Sequence, residues 1–299
     1  MDRKKGDLVK KRVTTIVLTV SIIGVVVWSL IPRPLPVDVG TVEIGDYEQR
    51  VVEDGRTRVK EKYVVSSPVD GVLPRVHWDP GDFVKKGDKL VTIKWDYDRV
   101  VHAPASGSIL RILTKDEGFI YKGKPILEIG DPKSLEIVVD VLTSNAILLS
   151  LGNQVEITNW GGDQPLEGKI VRIEPSAFTK VSALGVDEQR VNVVIEITSP
   201  REQWLNLGDH FQVECRILVK RLENVLTVPT GALFQKGGKW AVFVFTQGKA
   251  NLREIEISDQ GPLKSVIGSG LNEGERVILY PGDRIDDGVA VKPTPGSAS

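Results

Sequence analysis

The distribution of apolar and polar residues along this 299-residue chain predicts a protein built mainly from short β-strands. Apolar and polar residues alternate in many short runs, of which residues 135–141 and 191–197 are the clearest. Val and Ile are frequent in these runs, and Gly or Pro separates them, which is typical of strands joined by tight turns. Between two such runs, residues 143–151 predict one short helix, with Thr143 or Ser144 as its cap and Gly152 after its end.

The N-terminus has a different pattern and predicts a transmembrane anchor. Residues 13–31 contain no charge, and a helix of 19 residues at about 1.5 Å per residue spans a bilayer core of about 30 Å. Residues 1–12 carry six basic side chains, which predicts a cytoplasmic tail and places the rest of the chain outside. A cleaved signal peptide is the alternative, but the apolar run is long and lacks an Ala-x-Ala site, so a retained anchor is favoured.

The middle of the chain contains one unit written twice, in residues 68–93 and 104–129. The matching residues lie 36 positions apart: Pro68 and Pro104, Gly71 and Gly107, Arg75 and Arg111, and Gly87 and Gly123. Gly81 and Gly118 are 37 apart, so one copy carries a one-residue shift. Each copy reads as short strands and Gly-containing turns and is too small to bury a face alone. The two copies therefore predict a small sandwich with a pseudo-twofold axis.

This double unit resembles the biotinyl/lipoyl-carrier domain divided into its two half-motifs. The resemblance implies a modifiable Lys at the tip of the hairpin that joins the halves, seven residues before Ala103. That position is Asp96, within a tip made of Trp95, Asp96, Tyr97 and Asp98. A carboxylate cannot form the amide to biotin or lipoate, and Lys94 lies two places away at the end of a strand. A carrier subunit of a transferase is therefore the alternative, not the favoured function.

Composition and charge exclude several other classes of function. The net charge is -1, so no bulk basicity indicates a nucleic-acid partner. The single Cys215 lies in an alternating apolar run and is expected in a core. The three His residues show no metal-ligand spacing, and no nucleophile-base-acid set or Gly-rich phosphate loop is present. We therefore expect neither an enzyme nor a bound cofactor or metal.

The remaining segments complete a mainly β organisation. Residues 134–220 contain five to six strands and one short helix, which predict a small closed β-barrel. A further β-domain follows, and the tail is small and polar. The predicted segments are a cytoplasmic tail (1–12), an anchor (13–31), a linker with first strands (32–62), a lipoyl-like domain (63–131), a β-barrel (132–222), a final β-domain (223–293) and a disordered tail (294–299).

The order of these parts resembles the periplasmic adaptor subunits of efflux and secretion pumps, the membrane fusion proteins of the HlyD/MacA type. The motifs that carry the resemblance are the anchor, VVSSPVDG at 64–71, the two half-motifs, and VPTGALF with GLNEGERVILYPGDRIDDGVAV at 228–291. The resemblance implies that residues 223–293 form a membrane-proximal domain. It also implies that residues 37–60 pair with later strands of the barrel and of that domain.

The resemblance further implies a non-enzymatic adaptor anchored in the bacterial inner membrane by one helix, with most of the chain in the periplasm. Its partner would be an inner-membrane transporter, and its assembly a homo-oligomeric ring, commonly a hexamer. The single-helix anchor favours an ABC permease of the MacB-like type, and an RND pump comes next. An envelope structural protein without a transporter is a further alternative.

One departure from the family concerns contact with an outer-membrane duct. Family members usually insert a long α-helical hairpin between the lipoyl halves, whereas only residues 94–102 join them in this chain. This argues against docking to a TolC-type duct through hairpin tips. Either the host lacks that duct, or the lipoyl ring itself meets the exit partner.

The resemblance also indicates two candidate channel-facing turns, one in each half-motif. They are His77, Trp78 and Asp79 in the first half and Lys115, Asp116 and Glu117 in the second. Like charges repeated around a ring repel at close range, which predicts a wide or water-filled aperture. The alternative is that both are ordinary solvated turns.

Overall fold

The structure, a computed structural model, describes residues 34–294. The predicted cytoplasmic tail (1–12) and anchor (13–31) lie outside the described residues. Within residues 34–294 no helix has the length and apolarity to cross a membrane. The chain divides into two compact units. One contains the described residues up to Tyr47 and those from Leu222 onward, and the other is Glu48–Arg221.

The described chain is mainly β, as the alternating pattern predicts. One short helix, α1 (Thr143–Ala146), and two single 3₁₀ turns at Arg201–Trp204 and Thr230–Ala232 accompany the strands. The strands are, in chain order, β1 (Leu35–Thr41), β2 (Glu43–Val59), β3 (Lys62–Ser66), β4 (Gly71–Leu73), β5 (Phe83–Val84), β6 (Lys89–Ile93), β7 (Arg99–His102), β8 (Gly107–Ile112), β9 (Gly118–Ile120), β10 (Pro125–Gly130), β11 (Leu135–Leu142), β12 (Gln154–Thr158), β13 (Leu166–Val181), β14 (Asp187–Ile197), β15 (Gln212–Pro229), β16 (Phe234–Lys236), β17 (Lys239–Thr246), β18 (Lys249–Glu254), β19 (Glu256–Gln260), β20 (Lys264–Ser269), β21 (Arg276–Leu279) and β22 (Val291–Pro293).

The Glu48–Arg221 unit contains a closed barrel, as predicted. Its strand order is β12-β13-β14-β11-β2-β15, and β15 pairs back onto β12 through Val155↔Ile217 and Ile157↔Cys215. Alternate residues are buried in β12 and in the first parts of β13 and β15, which is the period expected for a sheet with one face in a core. The buried interior includes Ile137, Val139, Ile157, Ile170, Ile195, Cys215 and Ile217.

The helix predicted over residues 143–151 is shorter than expected, because only Thr143–Ala146 is helical. Its N-cap position is Leu142, which has no side chain able to cap, and neither Thr143 nor Ser144 makes a capping hydrogen bond. Three large aliphatic side chains beyond it, at Ile147, Leu148 and Leu151, are exposed. An apolar face without a partner gives too little packing to hold a second turn.

The double unit forms a sandwich whose halves exchange strands. In the first half β4, β5 and β6 correspond to β8, β9 and β10 of the second. β4 pairs with β9, and β5 pairs with β8, so each half contributes strands to the other. The flanking pairs also match. Lys89 faces His102 in β6–β7, and Pro125 faces Ser66 in β10–β3. Lys89 and Pro125 lie 36 residues apart, as do Ser66 and His102. Equivalent backbone hydrogen bonds from Gly87 to Ala103 and from Gly123 to Ser67 measure 2.8 and 2.7 Å.

The other unit contains the final β-domain together with β1. Its main sheet has the order β16-β17-β21-β1-β22, and β18 pairs with β17. The β17–β18 hairpin turns through Gln247 and Gly248, whose φ angles of 52° and 74° are those of a tight hairpin turn. β1 pairs with β21 and β22, while β2 pairs with β11 in the barrel. The expected pairing of residues 37–60 with later strands is thereby confirmed.

Candidate functional site

The pseudo-twofold axis brings the two candidate channel-facing turns together. Asp79 and Lys115 occupy equivalent positions, 36 residues apart, and Lys115 Nζ lies 2.9 Å from Asp79 Oδ1. The backbone N–H of Val76 also donates to the carbonyl of Lys115 at 3.0 Å. The two turns therefore form one continuous surface of the lipoyl-like sandwich.

Of the six candidate residues, Trp78 lies apart from the others. Its ring packs against the buried core of the sandwich, and its Nε1–H donates to the carbonyl of Leu90 at 2.9 Å. A half-buried indole N–H requires an acceptor, which turns the side chain inward. His77, the residue before it, is exposed to solvent. The surface that faces solvent is therefore formed by His77, Asp79, Lys115, Asp116 and Glu117.

The charges on this surface are only partly balanced. Asp79 and Lys115 neutralise each other, whereas Asp116 and Glu117 are exposed and have no side-chain partner within residues 34–294. Two adjacent unpaired carboxylates leave a local negative charge on the Lys115 turn. This charge can repel a second copy of the same turn, or attract a cationic group, at close range.

The hairpin tip that replaces the usual helical insertion is short and aromatic. Five residues, Lys94 to Asp98, join β6 to β7, and the backbone of Lys94 forms a two-way bridge with Val72 at 2.7 and 2.9 Å. Lys94 is thus fixed at the strand end, while Asp96 and Asp98 lie exposed at the tip. The guanidinium of Arg99 lies 4.4 Å from the centroid of the Tyr97 ring and donates to its hydroxyl at 2.9 Å.

An exposed aromatic patch, formed by Val72, Trp95, Phe119 and Tyr121, adjoins this tip. The Trp95 and Phe119 ring centroids are 5.7 Å apart, and those of Phe119 and Tyr121 are 5.2 Å apart, both edge-to-face. Val72 pairs with Phe119 across β4–β9. Trp95 belongs to the predicted hairpin tip, but the sequence analysis did not identify Phe119 and Tyr121 as candidate site residues. The alternation around buried Ile120 could have identified them, because it places both rings on the solvent face.

Within residues 34–294 no group of three or more His, Cys, Asp or Glu residues could hold a metal ion. The thiol of Cys215 is fully buried in the barrel, and burial raises its pKa to about 12. A neutral, enclosed thiol is a poor nucleophile. The site is suited to contact with another macromolecule.

A family model describes the end of the chain. The model of the YknX C-terminal permuted SH3-like domain matches residues 225–293. This segment forms the strands from the end of β15 to β22 in the unit described above.

Two curated relatives are similar over much of the chain. "Multidrug resistance protein MdtA" of Pantoea ananatis is 25% identical over 234 residues, which is 76% of this chain and 47% of the relative. "Putative efflux system component YknX" of Bacillus subtilis is 24% identical over 176 residues, 56% of this chain and 45% of the relative. The chain therefore spans about half the length of the curated relatives it matches.

Solved structures share the fold. MacA of Actinobacillus actinomycetemcomitans superposes with a TM-score of 0.62 at 17% identity, covering 81% of this chain and 99% of that one. A MacA-MexA chimera that contains the Pseudomonas aeruginosa MexA α-hairpin domain gives a TM-score of 0.58 with the same identity and coverage. Together with the family model and the two relatives, these matches confirm the resemblance to the membrane fusion proteins that the motifs indicate.

Proposed function

We propose that this chain, a relative of the membrane fusion proteins, is a non-enzymatic adaptor anchored in the bacterial inner membrane by residues 13–31. Most of its mass would lie in the periplasm, where it would hold an inner-membrane transporter and form part of an export conduit. The observation that supports this most directly is the fold shared with MacA over 81% of the chain. The same chain carries the strand-exchanged sandwich, the closed barrel and the terminal domain that the family model describes.

The proposed transporter is an ABC permease of the MacB-like type, with an RND pump as the second candidate. The single predicted N-terminal helix supports the first, and the second remains a candidate because the adaptors of RND pumps share the motifs that carry the resemblance. The test is mild cross-linking in the native host, followed by purification of the full chain and identification of what is bound. An ATPase with its permease is the expected product. Recovery of an RND antiporter without an ATPase would reverse the assignment of the partner.

The proposed topology is tested separately. The six basic residues before the uncharged run favour an N-terminus in the cytoplasm, so a reporter enzyme active only in the periplasm should work when fused after Ser299. The matched control is the same reporter fused to a chain in which residues 3–12 have their basic side chains replaced by Glu. An inactive reporter on the native chain, in a fusion that accumulates stably, would contradict the topology.

We further propose that the chain assembles as a ring, with six copies as the expected number, around an aperture lined by the two turns. The unpaired carboxylates of Asp116 and Glu117 support an open, water-filled aperture, because like charges from neighbouring copies repel at short distance. Only five residues join β6 to β7, so this connection is too short to form a helical hairpin. An exit partner would therefore contact the surface of the lipoyl-like sandwich itself.

Cysteines at Asp116 and Glu117, introduced one at a time into a Cys215→Ser background, test the placement of the turns. Oxidation of the assembled complex should give disulfide-linked dimers if the turns of neighbouring copies approach the axis. A matched cysteine at Leu263, an exposed residue of the other unit, serves as the control for random collision. Exclusively monomeric protein in verified complexes would count against the axial placement.

A further inference from the structure

The repeated half-motif separates the aromatic patch from the residues that the fold requires. Phe119 faces Val72 across β4–β9, and Phe83, 36 positions earlier, faces Ser108 across β5–β8. Both phenylalanines are exposed, at 49% and 64%. The other three patch residues have polar or charged equivalents at the same spacing: Val72, Trp95 and Tyr121 correspond to Ser108, Asp131 and Lys85. One half of the sandwich therefore forms without an aromatic cluster, so the fold alone does not account for the cluster on the other half.

The patch is large for a surface that faces solvent. Trp95, Phe119 and Tyr121 are 59%, 49% and 67% exposed. At about 200 Å² for a whole aromatic side chain, they present roughly 350 Å² to solvent. Patches of this size on monomeric proteins often mark binding surfaces. Two copies packed on the patch would bury roughly 700 Å² of aromatic surface, and contact between the surrounding side chains would raise the total to the ~1,000 Å² that a specific interface needs.

The patch lies across three neighbouring strands at one end of a sheet. Lys94, the residue after β6, bridges Val72 of β4, and Val72 faces Phe119 of β9, so the strand order is β7-β6-β4-β9. β6 and β9 are both antiparallel to β4 and run in the same direction. Trp95 after β6 and Tyr121 after β9 therefore leave the sheet at the same end, on opposite sides of β4.

Charged side chains form a rim on the two sides of the patch. Asp96 and Asp98 lie on the β6 side, and Lys122 and Lys124 lie on the β9 side, all four exposed. The rim also contains Lys94, Arg99 and Asp70, which makes four positive and three negative side chains. A rim with so small a net charge repels a second copy only weakly. A rotation of 180° about an axis through the patch would place the acidic pair of each copy opposite the basic pair of the other.

We propose that the aromatic patch is the centre of an isologous contact, in which the lipoyl-like sandwiches of two copies pack face to face about a twofold axis. Both partners use the same surface in such a contact, which requires an apolar centre and a rim that is complementary to itself. The patch meets both requirements, and its aromatic residues are of the kind enriched in interface cores. The contact does not depend on the proposed ring. Where rings form, it would join two of them through several copies at once.

The two equivalent phenylalanines give a matched test. Phe119→Ser and Phe83→Ser each remove one exposed ring from corresponding strands, so their effects on the unfolding temperature should be alike. Phe119→Ser should weaken self-association of the full chain in detergent by about 30-fold or more, whereas Phe83→Ser should leave it unaltered. By sedimentation velocity, the native particle should contain twice as many copies as the Phe119→Ser particle, whether the latter is one chain or a ring. A native particle no larger than that of Phe119→Ser, or an equal loss in both variants, would overturn the inference and leave the ring in place.

Charge reversal tests the twofold arrangement of the rim. Lys122→Glu/Lys124→Glu makes the rim negative, and Asp96→Arg/Asp98→Arg makes it strongly positive, so each variant alone should lose self-association through repulsion between copies. An equimolar mixture of the two should associate again, because each acidic side then meets a basic one. A mixture that stays dissociated would overturn the inference.

Photo-cross-linking in the native host identifies what covers the patch. A photo-reactive residue in place of Tyr121, which is 67% exposed, should give a covalent dimer of this chain. The same residue in place of Lys85, the equivalent position in the other half, should give none. Adducts from position 121 only to a different protein, or only to lipid, would show another occupant and overturn the inference.

Discussion

Asp79 and Lys115 form an ion pair although they occupy the same position in two copies of one motif. Residues at equivalent positions near a pseudo-twofold axis approach each other, so identical charges there would repel. The two copies differ at this position, and the difference converts a like-charge contact into an attractive one at 2.9 Å. The two half-motifs therefore differ in sequence at a position where the difference replaces charge repulsion by an ion pair.

Reversing one charge of this pair tests that role. Asp79→Lys places two cations together and should lower the free energy of unfolding by less than about 1 kcal/mol, because both side chains are largely exposed, at 68% and 47%. The double variant Asp79→Lys/Lys115→Asp should recover the loss. Urea unfolding at low and high salt measures both. A single-variant loss that is unchanged in high salt would show that charge is not its cause.

The equivalent glycines Gly71 and Gly107 should not tolerate a methyl group. A Cβ at Gly71 would lie 2.8 Å from the carbonyl oxygen of Lys94, and one at Gly107 would lie 2.8 Å from that of Gly130. Because backbone atoms cannot move aside, Gly71→Ala and Gly107→Ala should each lower the free energy of unfolding by about 1–3 kcal/mol.

Gly118 is the matched control for these substitutions. A Cβ there would meet nothing within 4 Å, and its φ is not positive. Gly118→Ala should therefore be neutral or slightly stabilising, by up to about 1 kcal/mol. Chemical denaturation of the three variants gives the comparison, and a loss at Gly118 equal to that at Gly71 would refute the steric explanation.

The buried carboxylate of Glu128 depends on two cations. Glu128 is only 8% exposed, and its Oε2 makes no hydrogen bond within the described residues. The side-chain nitrogens of Lys62 and Arg111 each lie 3.6 Å from that oxygen. Replacing both cations by Met leaves a buried charge unpaired and should lower the free energy of unfolding by about 1–3 kcal/mol, allowing for solvent screening at half-exposed Arg111.

Adding Glu128→Leu to that double variant should restore much of the stability, since the uncompensated charge is then removed. Denaturant unfolding of the native chain, the double variant and the triple variant gives the comparison. If Glu128→Leu deepens the loss in the double-Met background, the carboxylate is not the destabilising group.

Tyr47 gives the final domain a dependence on alkaline pH. Burial and the hydrogen bond of 3.0 Å to Asp259 raise the pKa of Tyr47 to about 12 from an ordinary value of 10.0. The folded state thus favours the protonated phenol, so this contribution to stability is complete below about pH 10 and is lost between about pH 10 and 12. Tyr47→Phe should reduce that alkaline loss. Unfolding midpoints at pH 8 and pH 11.5 for both proteins measure it, and parallel pH profiles would exclude Tyr47 as the titrating group.

The repeated motif was sufficient to predict a sandwich with a pseudo-twofold axis, but not the exchange of strands between its halves. A spacing of 36 residues is the same whether β4 pairs within its own copy or with β9 of the other. The exchange depends on long-range pairing between Val72 and Phe119 and between Val84 and Gly107. Such pairing is a tertiary property that local periodicity does not contain.

The candidate site, too, was predicted only in part. The turns at Asp79 and Lys115 were recognised as equivalent by position, yet their ion pair could not be foreseen, because side-chain reach at the axis depends on the folded geometry. Trp78 was grouped with its neighbours along the chain, whereas its indole N–H draws it toward Leu90. Phe119 and Tyr121 were not predicted, because the strand that carries Phe119, Gly118–Ile120, has only three residues and so short a run gives a weak alternating pattern.

The strand exchange also determines what the hairpin tip has to do. The two halves are interlocked by β4–β9 and β5–β8, so hydrogen bonds and a shared core hold them together independently of the peptide link at Asp96. A chain cut at that link should stay associated as two fragments, and a segment inserted there should leave the sandwich intact. The hairpin tip is therefore a site at which a segment can be inserted, by evolution or by design, without loss of the fold of the lipoyl-like sandwich.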